Sequence, residues 1–520
     1  MQRTGAARMD HSEELQAAIF RFLIDPATHG GVPVTRFDTH ASAVFLAGDR
    51  ALKVKRAVRF PFLDYSTPTK RRAACEAELA VNRPFAPQIY RRVAAITQGE
   101  DGRFAIDGAG QPVEWAVDMH RFDETRTLDR LAGAGAIDHM LADKLGRAVA
   151  AAHAGAAPIE AAPWIAAVAN FLAQNEAAFR ERPDLFASRE ATTLTSASRD
   201  ALDRIRPLLV ARGRLGLTRR LHGDLHLGNI ALIDGEPVAF DAIEFDELIA
   251  AGDVLYDLAF LLMDLVERGL GAAANIVLNR YLVQTRRPED LDALAALPFF
   301  LSLRAAIRAK VAAARLDRAP ESERPAIAQS AKTYFALACR LIAPARPVLV
   351  AIGGLSGTGK SRLGGALARD LDPPPGAVVL RSDIERKLRF GVDETERLPP
   401  DAYRPEASIA IYDALVHKAR RALSAGHSVI VDAVFAEPRE RAMIAAITPD
   451  LAVAFHGLFL VADLRTRLAR VGGRQGDASD ADAAVVRRQE DYPLGDIEWA
   501  RIDASGTPEE TLILARAALR

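Results

Sequence analysis

"VLVAIGGLSGTGKSRLGGALARDL", residues 348–371, decides the fold of the carboxyl-terminal third of this chain. An apolar run leads into a glycine-rich turn, and helix-forming residues lead out of it. Within the stretch, "GLSGTGKS" (354–361) matches the pattern G-x-x-x-x-G-K-[ST] at every fixed position. Glycines let consecutive backbone N–H groups curl around phosphate oxygens at the positive end of a helix dipole. The stretch therefore predicts a nucleotide-phosphate loop rather than an ordinary glycine-rich turn.

The residues of this loop are expected to divide the work of holding a nucleotide. Lys360 would reach the β- and γ-phosphates of ATP, and Ser361 would hold Mg²⁺. The rest of the loop would cradle the phosphates with its backbone, through Gly354, Leu355, Ser356, Gly357, Thr358 and Gly359.

Four more strand-like runs follow the loop, with helical segments between them: "AVVLRSD" (377–383), "SVIVDA" (428–433), "AFHGLFLV" (454–461) and "WARIDA" (499–504). This alternation predicts a parallel α/β sheet. Asp383 and Asp432 stand where two of the strands end, and ligands of such sheets gather at the carboxyl ends of the strands. An acid there can take a proton from an acceptor hydroxyl or hold Mg²⁺, although either could instead cap a helix. Arg386, one helical turn after Asp383, is a candidate substrate contact.

Three arginines precede a flexible Gly/Asp stretch further along: Arg467, Arg470 and Arg474. Mobile arginines that close over phosphates would stabilise the transferring charge and exclude water. The alternative is a solvated basic helix.

The part from roughly 346 to 520 resembles small P-loop kinases of the polynucleotide kinase, gluconate kinase and zeta-toxin type. The resemblance is carried by "GLSGTGKS", "RSDIER" (381–386) and "RQGDASDA" (474–481). It implies catalytic roles for Lys360 and Arg474, with Asp383 as the base or acceptor-binding acid. It also implies that Asp432 occupies the Walker-B-like metal position, although the usual four apolar residues followed by Asp-Glu are missing. The resemblance indicates the class of enzyme and leaves the acceptor open.

A second cluster of polar residues, "HGDLHLGN" (222–229), has two interpretations. His222, Asp224 and His226 alternate, as metal ligands on one strand face would. The glycines favour a loop instead, and the spacing fits the catalytic pattern H-x-D-L-x-x-x-N of phosphoryl transfer. In that interpretation Asp224 orients the nucleophile and Asn229 holds Mg²⁺ together with Asp241, which follows two short strands. The spacing favours phosphoryl transfer over a metal site.

Residues from about 35 to 340 resemble the aminoglycoside phosphotransferase and choline kinase group, whose loop is H-G-D-x-x-x-x-N. "AGDVLYDLAFL" (251–261) also resembles that group and implies that Asp253 and Asp257 are structural acids beneath the loop. No full G-x-G-x-x-G loop is present, and "LAGDR" (46–50) is its one candidate.

The same resemblance implies an ATP-binding lysine in "ALKVK" (51–55) and its glutamate partner in "CEAEL" (75–79). Lys53 and Lys55 are both candidates for the lysine, and Glu76 and Glu78 for the glutamate. One sequence does not decide between the members of either pair. "AVDM" (116–119) would be the hinge, with Met119 touching adenine.

The acceptor of the first domain is expected to lie against helices of about 253–340. Arg304 and Arg308 share one face of the helical segment "LSLRAAIRAKVAAARLDR" (301–318). A basic stripe favours an anionic or phosphorylated acceptor over a polycationic aminoglycoside. Contacts with the partner domain and a solvated helix face are the alternatives.

Composition excludes several classes of function. The 520 residues carry a net charge of −1, so nothing global recruits nucleic acid or a membrane. The two cysteines, Cys75 and Cys339, make a disulfide framework improbable and favour a reducing compartment. The start lacks the apolar core of a signal peptide. The most apolar stretch, 255–270, is charged and too short to span a bilayer, so a cytoplasmic protein is expected.

Together these patterns predict an α/β multi-domain protein. Residues 1–342 would form a two-lobed, α+β protein-kinase-like domain, with an N-lobe at about 30–120 and a C-lobe at about 121–342. A Pro/Ala linker (343–347) would lead to a P-loop NTPase domain with a parallel sheet (348–520). The predicted function is transfer of the γ-phosphoryl of ATP, with Mg²⁺, to hydroxyls of small-molecule acceptors by both domains. The alternative is a regulatory protein in which one or both sites sense nucleotide. The patterns do not predict an oligomeric state.

Overall fold

The computed structural model describes residues 3–60, 63–473 and 478–520. The chain divides into two compact units. The first comprises Met1–Ala167 with Val210–Leu261, and the second comprises Val168–Leu209 with Leu262–Arg520.

The first unit opens with a six-stranded antiparallel sheet. The order of its strands is β1 (Val34–Asp38), β2 (Ser42–Ala47), β3 (Arg50–Lys55), β8 (Gln111–His120), β6 (Tyr90–Gln98) and β7 (Phe104–Ile106). A short separate pair consists of β4 (Arg59–Phe60) and β5 (Leu63–Asp64).

Two helices cover the faces of this sheet. Apolar side chains near the end of α1 (Arg3–Ile24) pack with Phe45 and Leu52 on one face. Helix α2 (Pro68–Asn82) brings Cys75 against Val117 on the other face. Thr67 begins α2 by accepting a hydrogen bond from Lys70 N–H, and Pro68 follows in the first turn.

The rest of the first unit is helical with short hairpins. It contains α3 (Leu128–Gly133), α4 (His139–Gly155), β9 (Thr218–Arg220), β10 (Ile230–Ile233), β11 (Glu236–Ala239) and β12 (Ala251–Asp253). Strands β10 and β11 form an antiparallel hairpin, and β9 pairs with β12.

Helices make up the part of the second unit that precedes its sheet. Three of them contribute residues to both units: α5 (Ala161–Glu181), α6 (Ser188–Arg214) and α7 (Val254–Glu267). The next four lie wholly in the second unit: α8 (Gly271–Thr285), α9 (Pro288–Asp292), α10 (Leu297–Arg315) and α11 (Arg324–Leu341).

The remainder of the second unit is a parallel five-stranded sheet in the order β14 (Val378–Arg381), β15 (Val429–Asp432), β13 (Val348–Gly354), β16 (Ala454–Val461) and β17 (Ala500–Asp503). Its helices are α12 (Lys360–Ala368), α13 (Ser382–Phe390), α14 (Pro405–Ser424), α15 (Pro438–Ala445), α16 (Thr448–Leu451), α17 (Leu464–Gly472), α18 (Ala483–Arg488) and α19 (Pro508–Ala518). The central strands are buried on both faces, which is why they are continuous apolar runs in the sequence.

The predicted fold class is confirmed, because a mixed α/β domain precedes a parallel sheet with a glycine-rich loop after its central strand. The predicted domain bounds stay a prediction. Within the described ranges, no helix combines the length and apolarity that a bilayer crossing needs.

Candidate active sites

The first candidate site centres on a lysine held between two acids. Lys53 Nζ lies 2.8 Å from Glu78 Oε1 and 2.6 Å from Asp241 Oδ1. These partners are 25 and 188 positions away along the chain. The site therefore joins strand β3, helix α2 and the second residue after the β10–β11 hairpin.

Both predicted pairs of alternatives differ clearly in their surroundings. Glu78 is fully buried and contacts both lysines, whereas Glu76 is exposed and pairs with Arg72 at 2.8 Å. Lys55 points away from Asp241 toward a second acid, Glu244, and Tyr65 lies beneath its ammonium group at 5.4 Å. Lys53 and Lys55 are two residues apart on one strand, so they share a face, and Glu78 bridges them.

The ion pairs keep these groups charged in spite of their burial. Burial by itself lowers the pKa of Lys53, but Asp241 and Glu78 raise that pKa well above its ordinary value. Burial opposes the charge of Glu78, and the two lysines overcome it, so that the pKa of Glu78 falls to about 2. At neutral pH the network is therefore made of ions.

Lys53 lines a cavity of about 340 Å³ together with Met119 and Asp241. The other walls are mostly apolar, which suits a flat aromatic ring, and Asp241 adds a carboxylate at one side. They include Val44, Leu46, Ala51, Ile89, Phe122 and Phe240. Met119 is buried and pairs with Ala51 across strands β8 and β3.

The loop "HGDLHLGN" places an acid and an amide side by side. Asn229 Nδ2 donates to Asp224 Oδ2 and to the Asp224 backbone carbonyl, both at 3.0 Å. Phe240 N–H donates to the Asn229 carbonyl at 2.9 Å, so Asn229 and Asp241 both stand at the open end of the β10–β11 hairpin. Asp241 N–H in turn donates to Tyr90 Oη at 3.0 Å.

The two histidines of this loop have structural partners. His222 is buried, and its Nε2–H donates to the Phe240 carbonyl at 2.9 Å. Burial lowers the pKa of His222, which keeps the ring neutral near pH 7. His226 Nδ1 accepts from Gly228 N–H at 3.1 Å. Among the described residues, no group of three or more His, Cys, Asp or Glu side chains is arranged to hold a metal ion.

Buried acids lie beneath the loop. Asp257 Oδ1 accepts from Gly223 N–H at 3.0 Å, while its Oδ2 lies 3.2 Å from His153 Nε2. Asp253 forms a two-pronged ion pair with Arg212, at 2.6 and 2.9 Å. Asp257 therefore bonds to the loop itself, and Asp253 bonds to helix α6.

The second candidate site surrounds the phosphate loop between β13 and α12. Lys360 Nζ lies 3.3 Å from the Leu355 carbonyl, inside the loop. Ser361 Oγ donates to Asp432 Oδ2 at 2.5 Å. In the parallel ladder Asp432 is level with Ile352 and Arg381, which places it beside the loop at the carboxyl edge of the sheet.

Asp383 lies in the first turn of helix α13, directly after β14, the strand that pairs with β15. Burial and the charge of Asp432 raise the pKa of Asp383, while Arg381 and Lys360 act in the opposite direction. Two acids, a lysine and an arginine are thus brought together at this edge. Arg386 is buried over the ring of Tyr403 at 4.9 Å and donates to the Ala402 carbonyl at 2.5 Å.

The three arginines predicted to close over the phosphates have different positions. Helix α17 approaches the loop so closely that a Cβ at Gly357 would fall 2.6 Å from the Arg467 carbonyl oxygen. Arg467 is buried and forms an ion pair with Glu490. Arg470 donates to the Gly506 carbonyl at 2.8 Å. Arg474 lies outside the described residues.

Arg304 and Arg308 lie on α10, which packs against α11. Arg304 is buried, and the Arg308 guanidinium stacks over Tyr334 at 5.5 Å from the ring centre. Their assignment to an acceptor stays a prediction.

Several residues of both sites have no signature in the sequence. Asn82 accepts from Ala242 N–H at 2.6 Å and so holds the chain directly after Asp241. Gln489 accepts from Ser356 N–H of the phosphate loop at 2.7 Å, across 133 positions. Tyr90 and Glu244 also act through long-range contacts. No local pattern could have identified these four residues.

Comparison with known proteins gives two family matches. The model of the phosphotransferase enzyme family matches residues 34–297, and an AAA domain model matches residues 349–492. An uncharacterised protein of Mycobacterium tuberculosis is 31% identical over 488 residues, which are 91% of this chain and 93% of that protein.

Solved structures also show similarity over parts of the chain. The match to a choline kinase from Cryptosporidium parvum covers 61% of this chain and 90% of the choline kinase chain, with 11% identity and a TM-score of 0.39. A gluconokinase from Sinorhizobium meliloti covers 33% of this chain and 91% of its own, with 20% identity and a TM-score of 0.24.

The first family model alone spans half of the chain, and the mycobacterial relative extends over nearly all of it. This chain therefore belongs to the phosphotransferase enzyme family, and its two kinase-type domains support ATP-dependent phosphoryl transfer.

Proposed function

We propose that the chain is a two-headed kinase in which each domain transfers the γ-phosphoryl of ATP to a hydroxyl of a small-molecule acceptor. The observation that carries the proposal is the gathering, within each unit, of a lysine, oxygen ligands and an acid from distant parts of the chain. The domain bounds that go with it are 1–342 and 348–520, on either side of the linker, and the expected compartment is the cytoplasm.

In the first head, Lys53 is proposed to hold the ATP phosphates. Glu78 fixes its position from the buried side, and the cavity beside Met119 receives adenine. Lys55 supports the same glutamate from the side of Glu244. Asp224 is proposed as the acid that orients the acceptor hydroxyl and takes its proton.

The oxygen groups of this head suit Mg²⁺. Asn229 uses its amide nitrogen for Asp224, so its amide oxygen can serve as a ligand beside the Asp241 carboxylate. Carboxylate and amide oxygens are ligands of the kind that this hard cation takes. When bound, Mg²⁺ would neutralise charge on the β- and γ-phosphate oxygens.

In the second head, Lys360 and the backbone of 354–361 are proposed to hold the phosphates. Ser361 and Asp432 present two oxygens 2.5 Å apart and fit the same cation. Asp383 is proposed as the base, because its raised pKa brings it closer to the working pH than an ordinary aspartate. Arg386 and, in the first head, Arg304 and Arg308 remain proposed contacts to an anionic acceptor.

The reaction is balanced in the same way in both heads. The acceptor oxygen forms a bond to the γ-phosphorus, and the bond from that phosphorus to the bridging oxygen of ADP breaks. The hydroxyl proton passes to Asp224 or to Asp383. The products are a phosphorylated acceptor and ADP.

The test uses ATP labelled in the γ-phosphate with a metabolite extract. It compares the intact protein with Asp224→Ala, Lys360→Ala and the double variant. We expect each single variant to lose a different set of labelled products and the double variant to lose both sets. If neither single variant changes any labelled product while both variants still bind ATP, the protein senses nucleotide and the proposal is wrong.

A further inference from the structure

Strand β14 lies at the edge of the parallel sheet, next to β15 alone among its strands. Its Val378 N–H donates to the Ser428 carbonyl at 2.9 Å, on the side of β15. In a parallel ladder the neighbouring groups, the Ala377 carbonyl and Val379 N–H, point to the opposite side. Such edge groups need a partner, since an unpaired buried backbone group costs free energy.

Helix α8 supplies that partner with one side-chain amide. Asn279 Nδ2 donates to the Ala377 carbonyl at 3.1 Å, and Asn279 Oδ1 accepts from Val379 N–H at 2.7 Å. A residue of a sixth parallel strand would bond to the same two groups, on either side of Val378. The side-chain amide of Asn279 therefore makes the two hydrogen bonds that the backbone of a sixth strand would make.

Neighbouring contacts strengthen this attachment. Asn275, one helical turn before Asn279, donates to the same Ala377 carbonyl at 3.0 Å. Asp292 of α9 forms an ion pair with Arg421 of α14, at 2.9 and 2.5 Å.

The contacts of α8 lie before and after α13, the helix that carries the proposed base. β14 ends at Arg381, and α13 begins at Ser382 with Asp383 in its first turn. Beyond the far end of α13, Glu394 forms an ion pair with Arg280, the residue after Asn279. Two consecutive residues of α8 thus contact the chain before and after α13.

We propose that Asn279 is a positioning residue of the second head, which sets the place of Arg381 and Asp383 by pairing with the edge of β14. The inference rests on the proposed function of that head. Helix α8 also packs against α12, which begins at Lys360, but the backbone groups that Asn279 bonds to belong to Ala377 and Val379 at the β14 edge. Loss of Asn279 should therefore disturb the base and leave the phosphate loop intact.

The first measurement needs no activity and uses the full-length chain. Amide hydrogen exchange is followed in peptides covering 378–390 and 348–368, for Asn279→Ala and for Gln329→Ala, an exposed position on α11 whose side chain donates to Thr333 of the same helix. We expect faster exchange in 378–390 only, and only in Asn279→Ala. Unchanged exchange there, or equal acceleration in both peptides, would overturn the proposal.

The second measurement is kinetic and is made in an Asp224→Ala background, so that the remaining transfer belongs to the second head. We expect Asn279→Ala to lower kcat by about 10- to 100-fold, because small displacements of a catalytic group have effects of this size. The KM for ATP should stay within about twofold, since the loop is not displaced. Asn275→Ala should change kcat less than about threefold, since Asn279 still serves the Ala377 carbonyl.

The kinetic outcomes separate the two proposals. If kcat of Asn279→Ala is unchanged, or if KM for ATP rises as kcat falls, Asn279 does not position the base. If the Asp224→Ala protein transfers no phosphoryl group, or if adding Lys360→Ala does not abolish the transfer, the proposed function of the second head fails. The exchange experiment then still decides whether Asn279 holds β14.

Discussion

At the scale of single residues, the first head depends on how one buried carboxylate is shared. Glu78 has no exposed surface and contacts both Lys53 and Lys55, yet only Lys53 reaches the cavity and Asp241. Since Asp241 and Glu78 raise the pKa of Lys53, its ammonium group stays charged. The two lysines therefore have the same chemistry, and their different surroundings suit the different tasks proposed for them.

This division of tasks predicts different effects of the two lysine-to-methionine changes. In a Lys360→Ala background, Lys53→Met should lower kcat/KM for ATP by about 100-fold or more, because it removes a charge aimed at the phosphates. Lys55→Met should act mainly on stability, since it leaves Glu244 and Glu78 less compensated, at a cost of about 3–5 kcal/mol. Steady-state kinetics and thermal melting distinguish them. The reverse pattern would assign the phosphates to Lys55.

A charge change beside Asp383 should move the pH profile of the second head in a defined direction. Arg381 lowers the pKa of Asp383, so Arg381→Met should raise it further. A base must be deprotonated, so activity is lost as the pH falls through its pKa. In an Asp224→Ala background, the acid limb of kcat/KM should therefore shift to higher pH. Arg389→Met, an exposed position on α13, is the control and should not shift it.

At the scale of elements, the loop 222–229 is held by its neighbours rather than by its own hydrogen bonds alone. Gly223, directly before Asp224, has a φ of +81° and donates to Asp257 at the start of α7. A Cβ at this position would fall 2.8 Å from the Ala250 Cα. The loop therefore tolerates only glycine without moving.

This contact predicts a local loss of catalysis from a small change. Gly223→Ala should cost about 1–3 kcal/mol of strain and displace Asp224, lowering kcat of the first head by about tenfold or more. Gly235→Ala is a matched control, because its φ is +80° but the nearest atom to its Cβ is Lys144 Nζ at 4.0 Å. It should cost stability without lowering kcat. Equal kcat losses in both variants would mean that strain, rather than the position of Asp224, matters.

At the scale of the whole molecule, the second unit contains both the helices before the linker and the sheet after it. Asn279, Arg280 and Asp292 on one side bond to Val379, Glu394 and Arg421 on the other. The covalent connection at 343–347 is therefore one of several that join these parts.

Cutting that connection should leave the parts together. With a protease site inserted at 343–347, we expect the two fragments to elute as one species in size-exclusion chromatography after cleavage. A combined Asn279→Ala and Asp292→Ala variant should separate more readily, because it loses the edge pairing and one ion pair. Separate elution of the fragments of the otherwise unchanged chain would contradict the prediction.

The sequence by itself determined the fold class and predicted the chemistry of both loops. "GLSGTGKS" and "HGDLHLGN" are local patterns, in which glycines and polar residues a few positions apart form the backbone shape and present the side chains together. Asp383 and Asp432 were predicted as site residues because they stand at the ends of predicted strands, and parallel strands end at one edge of the sheet. Patterns of this kind need no knowledge of distant contacts.

Only the tertiary structure distinguished Lys53 from Lys55 and Glu78 from Glu76. Lys53 and Lys55 share a strand face. Glu76 and Glu78 lie about 200° apart around α2, but the sequence does not decide which of these two helix faces meets the sheet. The choice depends on Glu78 and Asp241, which lie 25 and 188 positions from Lys53 and are packed against it, whereas Glu76 pairs with Arg72 on its own helix. Asn279 is the extreme case, since an asparagine on a helix becomes part of a sheet only when an edge strand 100 positions away reaches it. Long-range packing decides such partners, and a single sequence does not record it.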